Sequence, residues 1–134
     1  MDEGLKSAIV KENTVKIAKV LLEHQRTKRL PRKTYRPDRI FKRKRLLTYG
    51  ELQKLAGIKA PPVRIGYYLG ELARACARNQ VPPLNALVVN GKRLAPGKSY
   101  EGAGEDPDWK LDAYAALTWR YPEGFLDCLI AEPV

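Results

Sequence analysis

The chain of 134 residues is poor in histidine, cysteine, methionine and phenylalanine, and no apolar run approaches the roughly 20 residues that cross a bilayer. The single histidine, His24, argues against a histidine-based zinc site and against a serine–histidine–aspartate triad. The two cysteines, Cys76 and Cys128, lack metal-ligand spacing and do not suggest a disulfide framework. Met1–Val10 shows no basic start, apolar stretch and small-residue cleavage site of a secretory signal. These absences lead to the expectation of a cytoplasmic protein, nucleoid-associated in a bacterium or phage, with no membrane partner.

What is abundant is positive charge. Twenty-five Lys and Arg face 15 Asp and Glu, a formal net charge of +10. The excess is one-sided: residues 1–64 carry 18 basic and 6 acidic side chains, and residues 65–134 carry 7 and 9. A polyanion would therefore meet the N-terminal half first. Within it, residues 25–45 hold 11 basic side chains and the single acid Asp38, with Pro31 and Pro37 interrupting any helix. Self-repulsion favours an extended arm that contacts phosphates through Arg32, Lys33, Arg36, Arg39, Lys42, Arg43, Lys44 and Arg45. Tyr35 and Phe41 stand among these charges as stacking or anchoring residues.

Apolar periodicity predicts an N-terminal helix over 5–24, or two shorter helices with a second start at Asn13-Thr14. Thr48 with Glu51 three residues on matches a capping box, Gly57 a helix stop, and Leu52, Leu55 and Ala56 the apolar face between them. Pro61-Pro62 opens a second helix whose core face is Ile65, Leu69, Leu72, Ala73 and Cys76, ended by Asn79 and Pro82-Pro83. Asn90-Gly91 between LNALVVN and KRLAPGKSY predicts a β-hairpin. Residues 101–108 read as an acidic loop, 109–122 as a helix or a strand, and 124–134 as a strand. Helix, turn, helix and hairpin in this order are the parts of a winged helix.

The run LTYGELQKLAG, the helix carrying VRIG and ending in ARN, and the strand VPPLNALVVNGKRL together resemble the DNA-binding module of alkylguanine-DNA alkyltransferases and alkyltransferase-like proteins. The resemblance spans residues 46–98. It implies a winged helix-turn-helix in which Tyr49 matches the tyrosine that rotates a nucleotide phosphate. Arg64 approximates the arginine that fills the place of a flipped base, displaced by one residue and hence by about 100° on the helix. The family's reactive Pro-Cys-His-Arg is missing, with Leu84-Asn85-Ala86 or its neighbours in its place. Without an activated thiolate, alkyl transfer is not expected.

The expected architecture is α+β. A winged helix-turn-helix (46–100) carries an N-terminal helix and basic arm (1–45) and a C-terminal α/β extension (101–134) on the same core. The expected function is non-enzymatic binding of double-stranded DNA, regulatory or protective, with no cofactor, metal or catalytic residue. Base-proximal contacts fall to Tyr49, Arg64, Tyr67 and Tyr68, although one of the two adjacent tyrosines should face the core. Arg74 and Arg78 lie further along the helix, and Lys92, Arg93 and Lys98 belong to the wing.

Three alternatives stay open. One is an adaptor or inhibitor using the C-terminal aromatics Trp109, Tyr114, Trp119, Tyr121 and Phe125. Another is a catalytically inactive lesion sensor. The third takes RNA as the nucleic acid, stacked on Tyr35 and Phe41. Asp106, Asp108 and Asp112 with Lys110 lie close enough in sequence to suggest a metal-dependent nuclease, but their spacing matches no nuclease pattern and an acidic loop explains them more simply.

Overall fold

The computed structural model describes residues 4–28, 45–98, 100–105 and 107–132. Its first and last elements meet. Strand β1 (Ala8–Val10) pairs in parallel with β4 (Leu129–Ala131), Ile9 opposite Ile130. Val10 and Leu129 turn inward while Ile9 and Ile130 turn to solvent, the two-residue alternation of a half-buried strand. The periodicity of residues 5–24 predicts a helix that would absorb this stretch. Instead the β-branched Ile9-Val10 pair finds a partner strand some 120 residues away, and tertiary pairing overrides local pattern.

Helix α1 (Glu12–Lys28) begins just after this strand. Its buried face is Thr14, Ile17, Ala18, Leu21, Leu22 and Gln25, a three-and-four-residue recurrence. The Glu71 carboxylate closes its start, accepting from the Lys11 amide (2.9 Å) and the Thr14 hydroxyl (2.6 Å), where a helix N-terminus favours an anion.

After strand β2 (Leu47–Thr48), helix α2 (Tyr49–Ala56) opens on the expected capping box. The Thr48 hydroxyl accepts from the Glu51 amide, and the Glu51 carboxylate accepts from the Thr48 amide. Gly57 ends the helix at φ 68°, a left-handed conformation that glycine adopts without Cβ strain. Helix α3 (Pro62–Arg78) follows, with Ile65, Leu69, Leu72, Ala73 and Cys76 all buried. Asn79 stops it and exchanges two hydrogen bonds with the Lys6 backbone, tethering the chain before β1.

A 3-10 helix (Leu84–Leu87) leads into β3 (Val88–Val89), which pairs in parallel with β2, Leu47 opposite Val88. The expected antiparallel hairpin at Asn90-Gly91 does not form. Val88 and Val89 are both fully buried, the pattern of an inner parallel strand. The chain instead closes a loop in which the Asn90 amide donates to the Ala95 carbonyl and the Leu94 amide to the Asn90 carbonyl, 2.8 Å each. Pro96 then follows without an N–H to extend a ladder.

The segment left open between helix and strand is helix α4 (Trp109–Thr118), N-capped by Asp108. Gln25 donates to the Ala116 and Trp119 carbonyls at its far end. A second 3-10 helix (Leu126–Cys128) precedes β4. The fold is thus mixed α+β. Leu21 of α1, Leu72 of α3, Leu117 of α4 and Phe125 join one buried cluster. No described helix is long and apolar enough to cross a membrane.

Candidate nucleic-acid interface

Helix α3 begins on Pro61-Pro62, and its first turn is bare. Val63 is 81% exposed, Arg64 is exposed and Tyr67 is 44% exposed, while Ile65 between them is fully buried. Residues 63, 64 and 67 therefore share the outward face of the helix N-terminus, where Pro61 and Pro62 carry no N–H and the Arg64 and Ile65 amides donate to the Pro61 carbonyl. Lys54 and Lys59 lie exposed on α2 and the turn between the helices.

Tyr68 is turned the other way. It is 9% exposed, belongs to the core and accepts a hydrogen bond on its hydroxyl from Asn13 Nδ2 at 3.2 Å. Its ring meets that of Tyr67 edge-on, with centroids 5.9 Å apart. The roughly 100° between successive helical side chains gives one tyrosine to solvent and one to the core, so Tyr68 leaves the set of contacting residues.

Beside this face lies a cleft of about 640 Å³ lined by Thr48, Tyr49, Gly50, Pro62, Gly66, Asn90, Gly91 and Gly97. Four of these are glycines, which leaves backbone close to any occupant. Tyr49 is held by its hydroxyl, which accepts from the Gly97 amide at 2.7 Å. A Cβ at residue 97 would crowd that oxygen at 3.1 Å. The capping threonine, the tyrosine after it and the loop after β3 are thereby fixed together.

Tyr49 and Gly66 also line a narrow cavity of about 20 Å³, floored by Val88 and Asn85. Asn85 is 2% exposed; its Nδ2 donates to the Glu101 carbonyl at 2.7 Å, and its Oδ1 has no hydrogen-bond partner among the described residues. Burial of an unpaired amide oxygen is costly, and a cavity of this size has room for one water. Hydrophobic patterning carries no signal for this cavity, because an asparagine inside LNALVVN reads as a break in a strand.

The remaining expected residues divide. Lys92 and Arg93 are exposed on the loop after β3, their amides donating to Asn90 Oδ1 at 2.9 and 3.3 Å. Lys98 is exposed. Arg74 is paired to Glu101 at 2.7 Å, and Arg78 donates to the Ser7 carbonyl at 2.9 Å, so both serve contacts within the fold. Arg45 is half-buried and donates to the Lys28 carbonyl at 2.9 Å. Arg32, Lys33, Tyr35, Arg36, Arg39, Phe41, Lys42, Arg43 and Lys44 lie outside the described residues, as does Asp106.

Burial governs the nucleophilic groups. The Cys76 thiol is completely buried and is pushed up to about 12, which keeps it protonated at neutral pH. Burial also raises Cys128, whose thiol donates to the Phe125 carbonyl at 2.9 Å. The Tyr100 phenol is raised first by burial and then by its bond to Asp112. Among the described residues, no three His, Cys, Asp or Glu side chains gather as a metal cage.

Compared with known proteins, the chain matches no protein-family model, no curated protein and no solved structure.

Proposed function

We propose that the chain is a non-enzymatic double-stranded DNA-binding protein, in which α2 and α3 act as a helix-turn-helix and the basic segment follows the phosphates. The observation that carries this reading is the bare first turn of α3, with Val63, Arg64 and Tyr67 outward beside the Thr48–Gly97 cleft. A recognition helix places its N-terminal residues at base edges in the major groove. Arg64 has the donor geometry to pair with a guanine edge, and Val63 suits a thymine methyl.

The charge block supports the same surface. Arg45 stands three residues before Thr48, so the end of the block lies within roughly 10 Å of the cleft along the chain. Lys92 and Arg93 project from the loop after β3, which supplies Asn90 and Gly91 to the same cleft. These residues take the place of a wing, although the loop is closed on itself and is not a hairpin.

Fluorescence anisotropy of a labelled duplex, with single-stranded RNA and an O6-alkylguanine duplex as competitors, tests the assignment. Ordinary duplex competing best supports it. Preference for single strands transfers the function to RNA, and preference for the modified duplex makes the protein a lesion sensor.

A further inference from the structure

A second cleft, of about 380 Å³, shares no residue with the one beside α3. Ala73 and Ala77 of α3, Pro82 and Pro83, Ala115 of α4 and Trp119 give it mostly apolar walls. The polar side chains are those of Gln80, which is exposed, and Asp112, a carboxylate only 7% exposed.

Both hydrogen bonds to Asp112 fall on one oxygen. Oδ2 accepts from the Tyr100 hydroxyl at 2.6 Å and from the Ala103 amide at 3.2 Å. Gly102 packs over that same oxygen so closely that a Cβ there would collide with it. The loop thus closes off Oδ2 and leaves Oδ1 as the oxygen for the cleft. Neither donor carries charge. Neither the Lys11–Glu132 nor the Arg74–Glu101 ion pair involves Asp112, and no described Lys or Arg lines the cleft. The loop forming this wall adds the exposed Glu105, while its Glu101 is neutralised by Arg74. A buried carboxylate in apolar surroundings is costly without a cation.

We propose that this cleft binds a small organic ammonium ion, a protonated amine on an apolar body, with the ammonium on Asp112 and the body against Trp119 and Pro82-Pro83. A divalent metal is a poorer match, because it requires several oxygen ligands and, among the described residues, one carboxylate lines the cleft. An amino acid is also a poorer match, because none of the described lining residues offers a cation to its carboxylate. The volume lies near the lower end of small-molecule sites, about 300–1,000 Å³, and an aromatic wall attracts ammonium groups. This assignment is independent of the nucleic-acid reading and gives the acidic C-terminal third a role of its own.

Titration of the ¹⁵N-labelled full chain with phenethylammonium chloride, followed by amide shifts at Ala103, Ala115 and Trp119, provides the test. Saturable shifts are expected, with the neutral isostere 2-phenylethanol at least about tenfold weaker. Asp112→Asn retains an oxygen for Tyr100 and Ala103 but presents an amide to the cleft, and it should weaken amine binding at least about tenfold. Ala77→Leu, at an exposed position on the rim, should block the site without depending on how Asp112→Asn folds. Equal binding of alcohol and amine, undiminished binding by both variants, or no saturable shift by roughly 10 mM amine would overturn the assignment.

Discussion

His24 Nε2 donates a hydrogen bond of 2.9 Å to the main-chain carbonyl of Arg45, and the Arg45 guanidinium returns to the Lys28 carbonyl at 2.9 Å. The last turns of α1 and the entry to β2 are therefore clasped by two bonds on either side of the basic block. Part of the entropy cost of closing the intervening chain is already met when the protein folds. Lys28 and Arg45, the described residues on either side of that segment, are thereby joined three residues before the capping Thr48.

The His24 clasp predicts a pH effect. Burial, with the nearby Lys28 charge adding, holds the imidazole below its ordinary value of 6.5, despite its backbone bond to Arg45. In the unfolded chain it titrates near 6.5, so below that pH the unfolded state binds the proton first. Stability is full above 6.5, begins to fall as the pH drops through it, and levels off below the folded value. Thermal melts at about pH 7.5 and about pH 5.5 should show a larger loss for the native protein than for His24→Gln, which retains a donor for Arg45. Equal losses would remove His24 from the account.

The capping box gives a stability prediction. Thr48→Ala removes the acceptor for the Glu51 amide and should cost about 1 kcal/mol in urea unfolding, whereas Thr48→Ser should cost much less. A change of less than about 0.3 kcal/mol for Thr48→Ala would show that α2 is held by packing alone.

Adjacent tyrosines should separate binding from folding. Tyr67→Ala should weaken duplex binding with little change in stability, and Tyr68→Ala should destabilise the fold by about 3–5 kcal/mol. Arg64→Ala should cost about 1–3 kcal/mol of discrimination at one base position. A uniform loss across all duplexes would make Arg64 a phosphate contact.

Thiol chemistry provides a further check. In a Cys128→Ala background, Cys76 should resist a thiol reagent at neutral pH in the native state and react fully in denaturant, because its thiol is buried and held near 12. The same protein should accept no methyl group from O6-methylguanine DNA. Rapid native-state labelling or methyl uptake would contradict that protection.

Features written in local chemistry were legible in the sequence. Thr48, Glu51 and Gly57 bound α2, and Pro61-Pro62 and Asn79 bound α3, because caps and breakers act within a few residues. The features set by distant partners were not. Ile9-Val10 becomes a strand only because Leu129–Ala131 lies beside it, and Val88-Val89 turns away from a hairpin because Leu47-Thr48 takes its edge. The same holds for the candidate sites. The outward position of Arg64 follows from helix periodicity, while the buried Oδ1 of Asn85 and the clasped carboxylate of Asp112 depend on Glu101 and Tyr100 in a loop without periodicity.

The most direct test measures duplex affinity by anisotropy at several salt concentrations, for the native protein and for a variant with Lys42, Arg43 and Lys44 changed to glutamine, which leaves the Arg45 clasp intact. DNA binding through the basic block predicts a steep fall of log affinity with log salt. The variant should be shallower by about 0.9 for each phosphate that it no longer neutralises. An unchanged slope in the variant, or no duplex binding by the native protein at low salt, would contradict it.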